Sequence, residues 1–381
     1  MTDQPDPAHA DRSNWRTVPF NRWAFHHVPD ILPTARIAAG DARVVPRAER
    51  SMAGFNLPLE GGSALDFEGF LRITETDGIV ILRDGHIVVE AYANGMTADT
   101  PHILMSGTKS AIGLLAGILQ QRGALAIEAT VTDYVPELAG TVYQGVTIRN
   151  LLDMRSGVEL DAGQAQAYDR AGGWGPVTDA PGLHGFFKGL SGPPARQGGP
   201  FRYVSANTDL LGWIMERATG QRVADLLSIH LWRPMGAEHA AWITLDGDGS
   251  PRCTGGLGAT TRDFARLGHL MLQDGPVVPS AWLTDITGGG DRTAWRDGEW
   301  GETYAPLSRS MSYRSGWYVM SEPAPLLFAM GIHGQHLFID RPNRLVIAKV
   351  SSQAIPLDYQ AAARTFRAVA EVRRVLADAG S

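Results

Sequence analysis

Cysteine and lysine are scarce in this sequence: its 381 residues include one cysteine and three lysines. The single cysteine, Cys253, excludes an intramolecular disulfide and with it every disulfide-stapled scaffold. Basic charge comes almost entirely from arginine, no cluster of lysine and arginine is present, and the formal net charge is −6. A nucleic-acid partner is therefore not expected.

Long apolar runs are also missing. No stretch approaches the roughly 18 apolar residues that a membrane span requires, so no membrane partner is expected. Residues 1–7 are acidic and polar, without the basic and apolar regions of a secretory signal. The sequence thus predicts a cytoplasmic protein.

Motifs for metal binding and for several kinds of nucleophile are absent as well. The sequence has no His-Glu-x-x-His motif and no spaced cysteine pairs, and His333 with His336 makes a poor metal site, so we expect no metal and no cofactor. A Gly-x-Ser-x-Gly elbow is missing, which disfavours an α/β-hydrolase. Cys253 is interpreted as a buried structural residue, with a nucleophile as the less favoured alternative.

What is present is the composition of a folded globular chain, with 44% hydrophobic and 19% charged residues. Two β-rich runs flank Asp84-Gly85, a strong hairpin signal. Apolar residues at helical spacing predict helices from Ser106 to Gln121 and over three later segments, 208–219, 261–274 and 359–376. Alternating apolar segments near the C-terminus predict strands over 317–320, 326–332, 336–340 and 345–350.

Strands early, helices in the middle and strands late predict an α/β fold whose sheet is divided by a helical insertion. We assign the sheet domain to 46–150 and 255–381, and an α-rich region to 151–254, with the cleft between them. Residues 1–45 are predicted to form an arm that packs on the body. The Gly/Pro-rich stretch 163–200 is predicted to be a long loop near the cleft.

One of the three lysines, Lys109, follows Ser106 by three positions. Residues at this spacing share a helix face, so the amine can reach the hydroxyl. Burial of the helix is expected to lower the pKa of the amine, and the helix N-terminus favours developing negative charge. A neutral amine beside a hydroxyl is one way to activate serine; a capping serine with a solvated lysine is the alternative.

A second candidate is Tyr203, which precedes Ser205 and leads into a predicted helix. A phenol next to an ammonium has its pKa lowered, so Tyr203 is expected to exchange a proton with the serine and the leaving group. The third is the Gly-flanked strand end at Gly331-Ile332, where a backbone N–H can meet an oxyanion together with that of Ser106. Each signal is weak alone.

Together these residues resemble the serine β-lactamase and penicillin-recognising superfamily, and within it the 6-aminohexanoate-dimer hydrolases and related esterases. The similarity spans nearly the whole chain, including segments with no catalytic reason to match. The matching segments are 21–25, 104–106, 134–140, 151–154, 169–170, 205–209 and 331–335. The resemblance implies a β-lactamase-like fold, with an antiparallel sheet flanked by helices plus a helical region.

The resemblance also implies the roles of the site residues. Ser106 is the acyl-accepting nucleophile, Lys109 tunes it, and Tyr203 acts as general base and then acid. The N–H groups of Ser106 and Ile332 form the oxyanion hole, and Asp169 lies where the family places an acid near the amino end of the substrate. Further predicted substrate contacts are Trp174, Thr254, Trp317 and His333.

Departures from the family pattern narrow the function. Ala329-Met330-Gly331 takes the place of Lys-Thr-Gly, so the cation that would hold a penicillin carboxylate is missing. We therefore predict a serine hydrolase that forms an acyl-enzyme on small linear amides or short-chain esters. A β-lactamase or D-alanyl carboxypeptidase is the first alternative, and a non-catalytic binding protein the second. The sequence leaves ester or amide preference, and a monomer or a homodimer, open.

Overall fold

A computed structural model describes residues 9–59, 61–177, 179–273 and 275–378. Its strands, in chain order, are β1 (Thr34–Ile37), β2 (Leu57–Pro58), β3 (Ala64–Leu65), β4 (Thr76–Arg83), β5 (His86–Tyr92), β6 (Pro101–Ile103), β7 (Ala241–Thr244), β8 (Leu257–Thr260), β9 (Met311–Arg314), β10 (Trp317–Met320), β11 (Leu326–Gly331), β12 (Gln335–Asp340) and β13 (Leu345–Ser351).

The main sheet has the strand order β5-β4-β13-β12-β11-β10-β9 and is antiparallel throughout. The predicted hairpin is confirmed: β4 and β5 pair around Asp84 and Gly85, whose φ angles of 50° and 79° are those of a tight two-residue turn. The last strand, β13, pairs directly with β4, which comes from the first quarter of the chain. The sheet is therefore assembled from both ends of the sequence, as predicted.

A smaller sheet, β1-β7-β8-β6, lies outside that prediction. Its strand β1 comes from the N-terminal arm and pairs antiparallel with β7. Trp15 and Phe25 of the arm are buried, and the Trp15 ring contacts Trp174 edge-on at 5.4 Å. The described part of the arm therefore contacts the body through buried aromatic rings, and it also completes a sheet.

The helices pack on both faces of the main sheet and around the smaller one. They are α1 (Asn21–Ala24), α2 (Val28–Ile31), α3 (Phe67–Ile73), α4 (Thr108–Gln121), α5 (Val131–Tyr134), α6 (Ile148–Leu152), α7 (Ala162–Ala171), α8 (Leu183–Gly189), α9 (Ala206–Thr219), α10 (Val223–Leu227), α11 (Thr261–Leu270), α12 (Ser280–Gly288), α13 (Arg292–Arg296), α14 (Gly301–Tyr304) and α15 (Tyr359–Asp378). Short turns of 3₁₀ helix span Met105–Gly107, Pro136–Leu138 and Ile332–Gly334, and a π turn spans Ser228–Trp232.

Helix α4 is the central helix, and its residues Thr108–Leu119 are all buried. Two glycines allow this close packing. A Cβ at Gly113 would lie 1.8 Å from the carbonyl oxygen of Ser315, and one at Gly117 would overlap the Trp282 indole. The backbone of α4 is therefore fixed against its neighbours, which holds the residues at its N-terminus in one place.

The expectation of a long loop over 163–200 is wrong, because α7 and α8 lie within it. The Asp161 side chain caps α7 in a reciprocal capping box with Gln164, and Gly172 follows its last residue. Gly182 likewise stands at the N-terminal end of α8. The glycines of this stretch thus mark helix ends instead of a continuous loop.

Predicted helix bounds otherwise agree with the structure to within a turn, except that α11 ends at Leu270. Residues 1–8 of the predicted arm and Asp274 of that predicted helix lie outside the described residues. The division into domains stays a prediction; helices α4 and α5 precede its boundary at 151, and α6 crosses it. Within the described ranges, no helix is both long enough and apolar enough to cross a membrane.

Candidate active site

Ser106 lies in the 3₁₀ turn Met105–Gly107, directly before α4. Met105 has a positive φ of 47°, an uncommon conformation for a residue with a side chain. The Thr108 hydroxyl donates to the Met105 carbonyl oxygen at 2.7 Å and fixes this turn. Ser106 is thus presented at the start of a rigid helix, close to the predicted position.

Lys109 lies beside Ser106, with its Nζ donating to the serine Oγ at 3.0 Å. The same amine donates to the Thr254 carbonyl oxygen at 2.7 Å, and the side chain is 2% exposed. Burial lowers the pKa of Lys109 to about 7, with Asp209 raising it and Arg252 lowering it further. The solvated-lysine alternative is wrong, because this amine is fully desolvated.

A buried ion pair stands behind Lys109. Arg252 Nη1 donates to the Asp209 carboxylate at 2.6 Å, and the Tyr168 hydroxyl donates to the same oxygen at 2.6 Å. The other carboxylate oxygen accepts the Thr254 N–H at 2.8 Å, which anchors the residue whose carbonyl oxygen accepts from Lys109. The pair therefore orients the lysine without touching the serine.

Tyr203 also lies next to Lys109, with its ring centroid 4.8 Å from Lys109 Nζ. Burial raises the pKa of Tyr203, while its contacts with the hydroxyls of Ser106 and Tyr318 lower it and Glu299 raises it. The expected lowering by an ammonium is wrong, because the amine faces the aromatic ring and is itself desolvated. Tyr203 is therefore a phenol at neutral pH.

The turn after β11 brings Ile332 close to Ser106. A Cβ at Gly331 would lie 2.6 Å from the Leu104 carbonyl oxygen and 2.9 Å from Met105 Cβ, so only glycine allows this approach. His333 has a φ of 61°, and its N–H donates to the Pro356 carbonyl oxygen at 2.8 Å. The turn is thus anchored through His333, while its first residue, Ile332, lines the same cavity as Ser106.

Ser106, Tyr203, Gly331 and Ile332 line one cavity of about 340 Å³. The remaining lining residues come from the stretch around α14, from strands β10 to β12 and from the start of α15. They are Glu299, Trp300, Tyr304, Tyr318, Met330, Gly334, His336, Gln353, Pro356, Leu357, Asp358, Tyr359 and Ala362. The predicted nucleophile thus opens onto a chamber that is large enough for a small organic molecule.

The five predicted substrate contacts do not line this cavity. Asp169 is exposed on α7, and Trp174 is buried, with its Nε1 donating to the Thr244 hydroxyl at 3.0 Å. Thr254 lies at the site, but through its carbonyl oxygen, which accepts from Lys109. His333 is 1% exposed and bonded through Nδ1 to the Gln353 carbonyl oxygen at 2.6 Å, so it supports the turn.

Trp317 is fully buried, so the prediction that it contacts substrate is wrong. Alternate residues of a strand point to opposite faces, and the next residue, Tyr318, lines the cavity instead. Sequence reasoning also missed the Asp209–Arg252 pair and Trp300, whose ring stacks on Tyr203 at 4.5 Å. Strand alternation could have found Tyr318; no local signal identifies the other three.

Cys253 lies one residue before Thr254, but it is fully buried, and burial raises its thiol pKa well above the usual value. A Cβ at Gly212 would lie 2.4 Å from its sulfur, so the thiol is tightly packed against α9. This agrees with a structural cysteine. The described residues contain no group of three or more histidine, cysteine or acidic side chains arranged to hold a metal ion.

Residues 73–371 match the model of the Beta-lactamase family. The chain is 35% identical over 358 residues to a 6-aminohexanoate-dimer hydrolase of Paenarthrobacter ureafaciens, covering 90% of this chain and 88% of that one. It is 30% identical over 192 residues to Esterase EstB of Burkholderia gladioli, covering 47% and 48%.

Among solved structures, one described as a 6-aminohexanoate-dimer hydrolase from Bacillus anthracis superposes with a TM-score of 0.87 at 24% identity. That match covers 98% of this chain and 99% of the other. The hydrolase EstCE1 matches with a TM-score of 0.64 at 17% identity, over 79% and 97%. These structures share the fold, which confirms the predicted fold class.

Proposed function

The chain belongs to the beta-lactamase family and its named relatives are hydrolases, and from this premise we propose that it is a serine hydrolase acting through an acyl-enzyme. The observation that carries the proposal is the 3.0 Å contact between Ser106 Oγ and a buried amine whose pKa is lowered to about 7. Such an amine is partly neutral at physiological pH and accepts a proton.

In the first step, Lys109 takes the proton of Ser106 as Oγ bonds to the acyl carbon of the substrate. The pKa directions favour Lys109 as the base and Tyr203 as the acid, because Lys109 is shifted toward neutrality and Tyr203 away from ionisation. Charge develops on the carbonyl oxygen of the substrate, where the N–H groups of Ser106 and Ile332 stabilise it.

In the second step, the bond from the acyl carbon to the leaving oxygen or nitrogen breaks, and the leaving atom takes a proton from the Tyr203 hydroxyl. The Lys109 ammonium returns its proton to Tyr203, so the net transfer runs from Ser106 to the leaving group. Water then attacks the acyl-enzyme by the same route in reverse and releases the acid.

For the substrate we propose small linear amides or short-chain esters. The support is the pair of relatives, one named for the 6-aminohexanoate dimer and the other an esterase. Asp169 and Trp174, which do not line the cavity, are proposed to bind the acyl part of the substrate. Arg16 of the arm lies over the Trp174 ring at 5.5 Å and interacts electrostatically with Asp169. The region proposed for the acyl part therefore contains a cation and a carboxylate.

Hydrolysis of p-nitrophenyl butyrate and of the 6-aminohexanoate dimer tests the proposal. Ser106→Ala is expected to abolish hydrolysis of the ester and whatever hydrolysis of the dimer the unmodified chain shows, and Tyr203→Phe to reduce turnover of the ester at least about a hundredfold. Cys253→Ser is the matched control, since its thiol is buried away from the cavity, and it is expected to retain activity. Full activity of Ser106→Ala on either substrate would contradict the mechanism.

The alternatives make different predictions. A β-lactamase or carboxypeptidase would be acylated rapidly and stoichiometrically by a fluorescent penicillin, which we do not expect because no cation replaces the missing lysine of Lys-Thr-Gly. A non-catalytic binding protein would not react with a fluorophosphonate probe at Ser106. The cytoplasmic location and the homodimer stay predictions, to be checked by cell fractionation and by sedimentation.

A further inference from the structure

The cavity beside Ser106 extends on the side of Tyr203. The Trp300 ring stacks on Tyr203 at 4.5 Å and on Tyr318 at 6.0 Å, and all three rings line the cavity. In the proposed function, on which this inference depends, Tyr203 protonates the leaving atom and must touch it. The leaving group therefore extends from Tyr203 into this cavity.

The walls of the cavity are mostly aromatic and aliphatic. Met330, which stands within the segment that replaces Lys-Thr-Gly, lines it together with Tyr304, whose hydroxyl lies 3.6 Å from the Met330 sulfur. At the mouth, Leu357 and Tyr359 are 59% and 58% exposed, although side chains of this kind are usually covered. This apolar surface matches an apolar group of a ligand.

The charged side chains among the described lining residues are both acidic. Glu299 accepts the N–H of Tyr203 at 2.9 Å, and Asp358 lies at the start of α15, where it caps the helix. His336 also lines the cavity, but burial lowers its pKa to about 3, so it adds no positive charge at neutral pH. A carboxylate entering this chamber would meet like charge without a compensating cation.

We propose that this cavity is the leaving-group site and that it selects an uncharged, apolar alcohol or phenol and rejects an anionic one. The preferred substrates are then esters of apolar alcohols. The leaving portion of the 6-aminohexanoate dimer carries a carboxylate, so that dimer is a poor substrate of this chain. The substrate proposed for this chain thus has an uncharged leaving group, whereas the substrate named for the relative has an anionic one.

Two phenyl acetates of similar size test this selection: 4-acetoxybenzamide, which is neutral, and 4-acetoxybenzoate, which is anionic. Each kcat/KM is divided by the rate of hydroxide hydrolysis of the same ester, which removes the difference in leaving-group reactivity. We expect the neutral ester to be preferred by roughly tenfold or more at low ionic strength. The preference should shrink in 0.5 M salt, because screening weakens the repulsion.

Two matched pairs of variants locate the effect. Leu357→Arg adds a cation at the cavity mouth and should raise relative activity on the anionic ester, whereas Ile355→Arg, on the same segment but outside the lining, should not. Asp358→Asn removes a carboxylate from the lining and should reduce the preference for the neutral ester over the anionic one. Asp297→Asn removes an exposed carboxylate that is paired with Arg296, and it should leave that preference unchanged.

The outcomes separate this inference from the proposed function. One outcome is that the normalised rates on the two esters are equal, that Ser106→Ala abolishes both, and that Leu357→Arg changes neither. This outcome would overturn the leaving-group selection and leave the serine mechanism intact. Absence of Ser106-dependent turnover on either ester would overturn both. The proposal is supported if the neutral ester is preferred, if Leu357→Arg reduces this preference, and if Ile355→Arg leaves it unchanged.

Discussion

Two of the three lysines are buried, and the comparison between them shows what the candidate site requires. Lys109 and Lys349 are 2% and 1% exposed, each is bonded to a serine hydroxyl, and burial lowers the pKa of each to about 7. The partner of Lys109 opens onto the cavity, whereas the partner of Lys349, Ser351, is completely buried. A desolvated lysine–serine pair is therefore not sufficient for a reactive site.

The two lysines also differ in what holds them. Lys109 has the Asp209–Arg252 pair behind it, while Lys349 lies near the turn Ile332–Gly334, with its Nζ 3.4 Å from the Gly334 carbonyl oxygen. In the proposed mechanism Lys109 moves a proton, whereas Lys349 contacts a turn and a buried serine. The sequence predicted burial for Lys109 alone, and the burial of Lys349 is seen only in the structure.

The largest difference between the two lysines is expected in turnover. Lys109→Met should lower kcat/KM on p-nitrophenyl butyrate by about 10³-fold, because Ser106 loses its base. Lys349→Met is the matched control and should stay within about tenfold, since it removes only support for the turn. Comparable losses in both variants, with both folded by circular dichroism, would show that Lys109 acts structurally.

The next largest effect concerns the ion pair behind Lys109. Asp209→Asn leaves the buried Arg252 without its counter-charge, which should lower the free energy of unfolding by about 3–5 kcal/mol. On the Lys349 side, Asp77→Asn disturbs a buried contact with His102 at 3.3 Å and should cost about 1–3 kcal/mol. Urea unfolding followed by tryptophan fluorescence measures both free energies of unfolding. A smaller loss for Asp209→Asn than for Asp77→Asn would contradict the interpretation of Asp209–Arg252 as a buried ion pair.

How much of this could be read from the sequence depends on how local each signal is. Ser106 and Lys109 lie three residues apart, in a turn and in the first turn of the helix that follows it, and the resemblance supplied Tyr203 and Ile332, so these positions were predictable. Asp209 and Arg252 pair across 43 residues, and the aromatic wall of the cavity comes from separate elements. Such contacts depend on how the elements pack, which periodicity and spacing do not determine.

A smaller effect is expected in the dependence of stability on pH. The unfolded chain keeps both lysines protonated up to about pH 10, whereas the folded chain releases these protons near pH 7, so protonation favours unfolding. Stability should therefore rise from pH 7 to pH 9, by on the order of 1–2 kcal/mol for each lysine. Denaturant titrations of Lys109→Met and Lys349→Met should each show a shallower rise; an unchanged slope in either would contradict its lowered pKa.

The last comparison between the two lysines concerns the dependence of rate on pH. If Lys109 is the base, kcat/KM should rise through its pKa of about 7 and then level off, falling about tenfold per pH unit well below it. Lys349→Met should leave this midpoint unchanged, which separates the two lysines of equal pKa. A neutral ester such as p-nitrophenyl butyrate keeps substrate ionisation out of the profile, and a midpoint below pH 5.5 would point to a carboxylate base.

Intact-protein mass spectrometry after brief exposure to p-nitrophenyl butyrate, followed by peptide mapping, tests the central claim most directly. We predict a mass increase of one butyryl group on the peptide containing Ser106 and Lys109, located on the serine and absent in Ser106→Ala. An acyl group that instead persists on the peptide containing Lys349 and Ser351, or turnover that continues in Ser106→Ala, would contradict the account.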